Sequence, residues 1–586
     1  MKQEPTSTSD LSAEPFFSQL SSFGYIYWLA NWMELVERFA YYGVRVVLPV
    51  FMVAAIEENG PELTQIQKGT IYSVWAIVQS FVPILSGGFA DRYGYKINIA
   101  LSTILKIVGY LIMGYTVWLA EYWAGSSLRV ARNAGADVAY EIFFVGALFL
   151  ALGTAIFKPG VQGLIANQMP KTAASLGWGL FYQMVNIGGF IGPLLAGYLR
   201  AWKWEYVFIA CSVGIALNFI PLALFKEPDS EGKKDITPPP VLLYRAMCGL
   251  LEPRLFFFTI SFAGFWLMAY QFFDILPNFI DDWIDSRGVA TSLIKLFGVN
   301  GEHIVPVVNG GNLPQEWLIN ANALLISLLA FAVGFVSGKL RSLNAIIVGI
   351  GISAAAIVAL GMSMNGWWIL AAIALFSLGE MMASPTKMRY IAGIAPAGKE
   401  GLYMGYVNFT VGIGWSIGSI LAGYMYEAQG DKVNLARKYL VEEAGVVEDA
   451  AAALNKSEVL PFFEEQLGVN AWEARTLLWD TYEPYSMWVV FAFIGIGSMA
   501  GIAIYDRVVR AADANPHHSF NRYGKRWVLG FLVPICLSFA VLSYFYPSPG
   551  LILNGLFFGI MLLISLVSQR ADSGDMNDLA NARQEF

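Results

Sequence analysis

The sequence predicts an all-α polytopic membrane protein with about fourteen spanning helices, and three observations carry that prediction. Hydrophobic residues make up 56% of the chain and charged residues only 14%, where an ordinary soluble domain has roughly 25% charged. The apolar runs are continuous, as from Ile346 to Met362, whereas the strands of an outer-membrane barrel alternate inward and outward every residue. A spanning helix needs about 20 apolar residues, so a chain of 586 residues has room for a dozen or slightly more once loops are allowed for.

Taken in order, residues 1–23 are a polar, acidic tail. The tail has neither the basic start nor the short apolar stretch of a cleavable signal, so the first membrane helix is expected to be its own insertion signal. Six apolar runs follow within residues 24–225: Gly24 to Ile56, Gly69 to Ala90, Asn98 to Ala120, Tyr140 to Ala166, Leu176 to Leu199 and Tyr206 to Phe225. Residues 226–253, with Pro238, Pro239 and Pro240, read as a polar linker. Six more runs lie within residues 254–504: Leu255 to Ile280, Trp317 to Leu340, Asn344 to Ser363, Trp367 to Ile394, Leu402 to Tyr426 and Met487 to Ile504. An insertion at 428–486 interrupts this group, and its pattern predicts helices over Leu435 to Asn455 and Leu460 to Asp480, a small cover over its own bundle. Residues 505–569 hold a loop and two runs, Trp527 to Tyr546 and Gly550 to Val567, turned into a hairpin by Pro547-Ser548-Pro549-Gly550. Residues 570–586 form a tail.

Basic residues of short loops prefer the cytoplasm. Arg92 with Lys96, Lys171, Lys226 with Lys233 and Lys234, Lys339 with Arg341, Lys387 with Arg389 and Lys399, and Arg507 through Arg526 all fall on alternate connections. Both termini are therefore expected in the cytoplasm, with the insertion outside, in a cell membrane of inner or plasma type. The net charge of −7 sits in loops and tails, with no basic block interleaved with aromatics, so nucleic acid is excluded as a partner. Cys211, Cys248 and Cys536 lie far apart with no histidine beside them, which predicts packing residues and no metal site. His303, His517 and His518 all fall in polar connections, so protonation within the bilayer is left to carboxylates. No nucleophile, base and oxyanion-donor set is visible, so an enzyme is not expected. Protons are the only coupling species the residues suggest, and no cofactor is called for.

Charges near the bilayer centre cost at least ~2.5 kcal/mol each, so they persist where they pair or face a wet cavity. The first helix holds Glu34, Glu37, Arg38 and Arg45, with Tyr41 between them, all on one helical face. Arg38 alone pairs with only part of the charge of two ionised acids, so protonating one acid lets the pairs rearrange. The alternative is a static tie between helices, which would need fewer charges. Lys106, in the third helix, has no motif around it and is expected to snorkel toward the inner boundary. Most tryptophans, Trp28, Trp32, Trp75, Trp178, Trp367 and Trp368 among them, are expected as interfacial anchors.

Glu34-Leu35-Val36-Glu37-Arg38-Phe39-Ala40-Tyr41-Tyr42-Gly43 resembles the ExxERFxYYG signature of the proton-coupled oligopeptide transporters of the major facilitator superfamily, and Arg45 stands where that family also carries an arginine. Gly87 to Lys96, with Asp91, resembles the superfamily's GxLADRxGRK loop, which implies a gating part for Asp91 at the inner face. Gly153-Thr154-Ala155-Ile156-Phe157-Lys158-Pro159 is similar to the family's GTGxxKP, whose lysine serves coupling and substrate handling. Phe181 to Gly188 resembles FYxxxNxG, which implies that Asn186 faces the cavity. Asn322 matches the family's cavity asparagine, with Ala323 in place of the usual proline. Gly379-Glu380-Met381-Met382-Ala383-Ser384-Pro385 resembles GExxxSP, whose glutamate receives a peptide's amino group. Two helices depart from the family pattern: Tyr270 stands where the seventh helix usually has an acid, and Gln79 and Ser80 of the second stand where a substrate-facing tyrosine is usual.

The resemblance implies a major facilitator fold, two six-helix bundles plus the hairpin, importing di- or tripeptides with protons by alternating access. Glu34, Glu37, Arg38 and Lys158 would couple protons. Tyr41, Arg45, Lys158, Asn186, Asn322 and Glu380 would hold the peptide. Asp91, Arg45 and Asp274 would gate, Asp274 lying one turn beyond Tyr270 and supplying the missing acid unless it belongs to the wetted surface of Asp281 and Asp282. Another solute on the same scaffold, an amino-acid derivative or organic anion, and a non-transporting sensor using the insertion are the rival readings.

Overall fold

The computed structural model describes residues 16–170, 173–227, 239–396 and 400–582. Fourteen long helices run through these residues: α1 (Tyr25–Phe51), α2 (Gln65–Tyr93), α3 (Tyr95–Gly114), α4 (Ala139–Asn167), α5 (Ala174–Arg200), α6 (Trp204–Ala216, carried on by Phe219–Leu224), α7 (Pro253–Ala269), α8 (Ala321–Gly338), α9 (Ser342–Leu360), α10 (Gly366–Gly393), α11 (Glu400–Gln429), α12 (Ser486–Ala514), α13 (Ser519–Phe545) and α14 (Pro549–Ala582). Eleven are long and apolar enough to cross a membrane. The others, α1, α2 and α11, match them in length, and α1 is set apart by its four charges.

Helices α1–α6 form one bundle and α7–α12 the other, with α2 against α11 along one seam and α5 against α8 along the other. Close helix approach is bought with missing side chains: a Cβ on Gly192 of α5 would fall 2.3 Å from the Phe39 carbonyl oxygen of α1. The α13–α14 hairpin leans on α2, α7 and α11.

Several sequence expectations need correction. The linker contains a helix, Pro239–Leu250, that packs against α2 and α14. The seventh run is not one helix: α7 stops at Ala269, a single turn spans Gln271–Asp274, and a further helix, Leu276–Trp283, opens at Pro277, whose missing N–H breaks the ladder. Beyond it an amphipathic helix, Arg287–Phe297, stands where no element was expected. The insertion folds as four short helices, Lys432–Glu442, Glu448–Ala453, Lys456–Leu467 and Ala471–Tyr482. Its first expected helix is cut at Gly445, whose φ of +70° no helix interior accepts. Together they make a cap, and the bundle ends beneath it are the cap side; the opposite end is the linker side. Helix α14 runs on to Ala582, through most of the expected tail. Lys387 is not a loop residue: it lies inside α10, buried, donating to Thr410 Oγ1 at 3.3 Å. Trp75 is 1% exposed and donates to Gln79, so it is no interfacial anchor.

Candidate transport site

The two bundles are fastened on the cap side through side chains aimed at backbone carbonyls. Asn278 donates to the Pro49 carbonyl at 2.8 Å, Gln315 to Val46 at 2.8 Å and Asn320 to Phe190 at 2.8 Å. Lys68, fully buried in α2, donates to Asn278 Oδ1 at 2.6 Å. Arg200 at the end of α5 forks between Glu316 at 3.0 Å and Asp281 at 2.8 Å.

At the centre of this layer Arg45 forms an ion pair with Asp274. Pro277 leaves the Phe273 carbonyl without its helical donor, and Arg45 Nη1 supplies one at 3.3 Å. The second oxygen of Asp274 accepts from Trp415 Nε1 at 3.0 Å and Ser419 Oγ at 2.7 Å. The Arg45 guanidinium lies 4.2 Å over the Tyr72 ring and 5.3 Å over Trp415. Tyr270, the residue in the place of an acid, stacks on Trp415 at 4.5 Å and so braces the indole that holds Asp274. Asp274 is 1% exposed and is not part of the wetted surface.

Under this layer lies a cavity of about 220 Å³ between the bundles, walled by Arg45, Tyr182 and Asn186 on one side and Asn320, Asn322 and Glu380 on the other. Asn322 donates to Glu380 Oε2 at 3.2 Å and to Ser377 Oγ at 3.0 Å. Four expected binding residues thus meet in one cavity: Arg45, Asn186, Asn322 and Glu380. Tyr41 does not join them. Its hydroxyl turns to Gln79 Oε1 at 3.1 Å, and its neighbour Tyr42 takes the wall position.

Glu34, Glu37 and Arg38 form a separate cluster, further along α1 toward the linker side. Arg38 lies 2.8 Å from Glu34 and 3.8 Å from Glu37. Lys106 does not snorkel: it is fully buried and forms an ion pair with Glu37. Two acids therefore face two bases, Lys106 adding a second cation to the Arg38 that the sequence set against both. Lys158 lies in the same electrostatic field but outside the cavity wall. The side chain of Asp91 lies outside the described residues, as do Lys171, Lys233, Lys234 and Lys399.

Lys106, Tyr42, Tyr182 and Asn320 were not anticipated. A lysine with no apolar excuse in mid-helix was the one available signal for the first. Above the fastening layer a polar vestibule of about 610 Å³ opens beneath the cap, walled by both bundles and by Asp431, Lys432, Lys456 and Arg475. There burial pushes the Asp282 carboxyl up to about 6, even though Tyr426 donates to it at 2.7 Å.

The Major Facilitator Superfamily model matches residues 32–301 and 307–431, well over half of the chain. The peptide transporter YePEPT of Yersinia enterocolitica is 22% identical over 467 residues, covering 68% of this chain and 87% of that protein. The multidrug resistance protein MdtH of Shigella dysenteriae is 22% identical over 390 residues, covering 66% and 83%. Among solved structures, a POT family transporter in complex with 5-aminolevulinic acid aligns with a TM-score of 0.54 at 16% identity, covering 83% of this chain and 99% of that one. A peptide transporter POT in complex with sulfate aligns with a TM-score of 0.53 at 16% identity, covering 85% and 98%. The helices, their two-bundle arrangement and the family match agree: this chain is a distant homologue of a peptide transporter and belongs to the Major Facilitator Superfamily.

Proposed function

We propose that the protein is a proton-coupled importer of short peptides, working by alternating access around the cavity between α1, α5, α8 and α10. The observation that carries this reading is Glu380. It is a carboxylate at membrane depth whose described partner is a neutral amide, Asn322, so the site is one positive charge short. A substrate ammonium supplies that charge. Asn186 and Asn320 offer hydrogen bonds to a peptide backbone, and Arg45 stands across the cavity as a cation once Asp274 releases it. The cap side is taken as the exterior and both termini as cytoplasmic, in an inner or plasma membrane, with protons as the coupling ion and no cofactor.

One observation favours a second reading. At about 220 Å³ the cavity is below the 300–1,000 Å³ usual for ligand pockets, which suits a single-residue zwitterion such as an amino-acid derivative better than a tripeptide. Uptake into proteoliposomes under an imposed pH gradient decides, with a panel of dipeptides, amino-acid derivatives and organic anions. Accumulation of dipeptides is expected. Uptake of amino-acid derivatives without dipeptides selects the second reading, and no gradient-driven uptake of any solute overturns both.

A further inference from the structure

The terminal hairpin does not close fully on the bundle it leans against. Between α13 and the α7–α11 pair lies a further cavity, of about 760 Å³, flanked by Leu551 and Phe558 of α14. At its back α7 and α11 pack tightly: a Cβ on Gly414 would fall 2.2 Å from the Ala263 carbonyl oxygen. Toward α14 it is bounded by Phe539 and Phe558, stacked at 5.5 Å. Its front is open. Pro534, Ser538, Leu542 and Tyr546 repeat every four residues along α13, line the cavity and are all exposed. They continue into Leu537, Val541 and Phe545, exposed apolar residues of the same helix at membrane depth. The cavity is therefore a slot in the lipid-facing surface and not a branch of the solute path.

The length and ends of the slot select its occupant. Helices α11 and α13 run in the same direction, and they line the slot from Ile413 to Tyr424 and from Pro534 to Tyr546. At 1.5 Å per residue these stretches are about 17 Å long, against about 15 Å for the hydrocarbon of one leaflet. Pro534 stands near the middle of α13 and Tyr546 at its cap-side end, so the slot occupies the cap-side half of the bilayer. At its mouth Tyr424 and Tyr546 meet edge to face at 5.6 Å, at the headgroup level where tyrosines settle. Neither hydroxyl has a hydrogen-bond partner among the described residues. Below them Ser538 is the one polar side chain of the lining. A buried water needs two to four polar partners, so the slot holds hydrocarbon better than water. Lipid tails are as apolar as the side chains they touch, and no hydrophobic force presses α13 onto the bundle. A gap there is stable when hydrocarbon fills it and restores the dispersion contacts its walls would otherwise lose.

We propose that this slot is a binding site for an acyl chain of a diacyl phospholipid of the cap-side leaflet, with the ester carbonyls of the lipid accepting from Tyr424 and Tyr546. Two donors at the mouth suit the two esters of such a lipid better than the lone hydroxyl of a sterol. No lysine or arginine lines the slot, so the site reads the chain and not the charge of the headgroup. A chain held there touches α7, α11 and both helices of the hairpin, and so joins the hairpin to the bundle.

The test uses the full chain purified in detergent. Native mass spectrometry counts the retained lipid, and a phosphatidylcholine carrying a diazirine in mid-chain maps its contacts. A phospholipid molecule should stay with each chain, with phosphatidylethanolamine and phosphatidylglycerol retained alike. Photolabelling should saturate and should mark α11 between Ile413 and Tyr424, the wall that stands behind α13. Excess unlabelled diacyl phospholipid should displace the label, and cholesterol should not. Ser538→Trp fills the slot from α13 and Ile417→Trp fills it from α11; overpacking of this kind should cut retention and α11 labelling by about tenfold or more. Val541→Trp, on the outward face of α13, should leave both unchanged. Thermal unfolding shows which variants fold; if one filling variant does not, the other decides, and if neither does, saturation and displacement in the unaltered chain decide. Labelling that grows with lipid without saturating, or that persists in a folded filling variant, is ordinary contact with bulk lipid and overturns the proposal. Displacement by cholesterol, or retention of one headgroup class only, overturns it as well.

Discussion

A charge inside a membrane protein is interpretable only with its partner, and Glu380 and Glu37 differ in this respect. Glu37 has a lysine; Glu380 has an asparagine. A hydrogen bond to a charged group contributes about 1.5–3 kcal/mol, roughly ten- to hundredfold in affinity. Glu380→Gln is therefore expected to weaken unblocked dipeptides by about that factor while leaving N-acetylated dipeptides nearly unchanged, as measured by competition for binding. Equal losses for both ligands would make Glu380 a structural acid. Much of this residue-scale pattern is legible in the sequence, because acids and bases in apolar runs stand out against their surroundings. Which base serves which acid is not legible: Lys106 and Glu37 are 69 residues apart, and only the α3–α4 crossing at Gly153 lets them meet.

At the scale of elements, the terminal hairpin is more than an addition to the fold's edge. Asn554 of α14 reaches into the α2–α11 seam and donates to Ser416 Oγ at 2.7 Å and Ser73 Oγ at 3.4 Å, while Ser73 and Ser416 lie 2.7 Å from each other. One residue of the hairpin thus ties a helix of each bundle in the conformation closed on the cap side. Side-chain hydrogen bonds within membranes average about 0.6 kcal/mol, so removing two shifts the equilibrium between the closed and open cap side by roughly five- to tenfold. Asn554→Leu is expected to raise the share of cap-side-open molecules by that factor, read from spin-label distances across the ends of α1 and α7. An unchanged distance distribution would make the hairpin a passive anchor. The hairpin itself is plain in the sequence from its two apolar runs and proline turn, but the seam it enters is set by packing among distant helices.

For the whole molecule, the cap-side layer centred on Arg45 and Asp274 has to part if the cavity is to open beneath the cap. Removing one partner of a buried ion pair costs about 3–5 kcal/mol because the other is left uncompensated. Arg45→Asp and Asp274→Arg should each impair exchange, and the double exchange of charges should recover part of it. Cysteines at the two positions should crosslink when the cap side is closed and not when it is open. A crosslink in no transport state would exclude this pair as the gate. The position of the acid follows from Pro277 and the break before it, which carry Asp274, rather than Tyr270, to the arginine.

The sequence by itself determined the membrane class, the two groups of six helices with a terminal hairpin, the polar face of α1 and the motif residues Arg45, Asn186, Asn322 and Glu380. The first three rest on hydropathy or on spacing within one helix, quantities that a linear chain contains, and the motif residues rest on the resemblance to a known family. Only the tertiary structure decided that Lys106 is a buried partner, that Tyr41 turns to Gln79 while Tyr42 takes the cavity wall, and that the insertion is cut into four helices. The physical reason is common to the first two, while the cut in the insertion follows the positive φ of Gly445. Pairing, rotation about a helix axis and the close approach of two helices depend on what lies across an interface, and the residues that meet there are brought together by folding from distant parts of the chain.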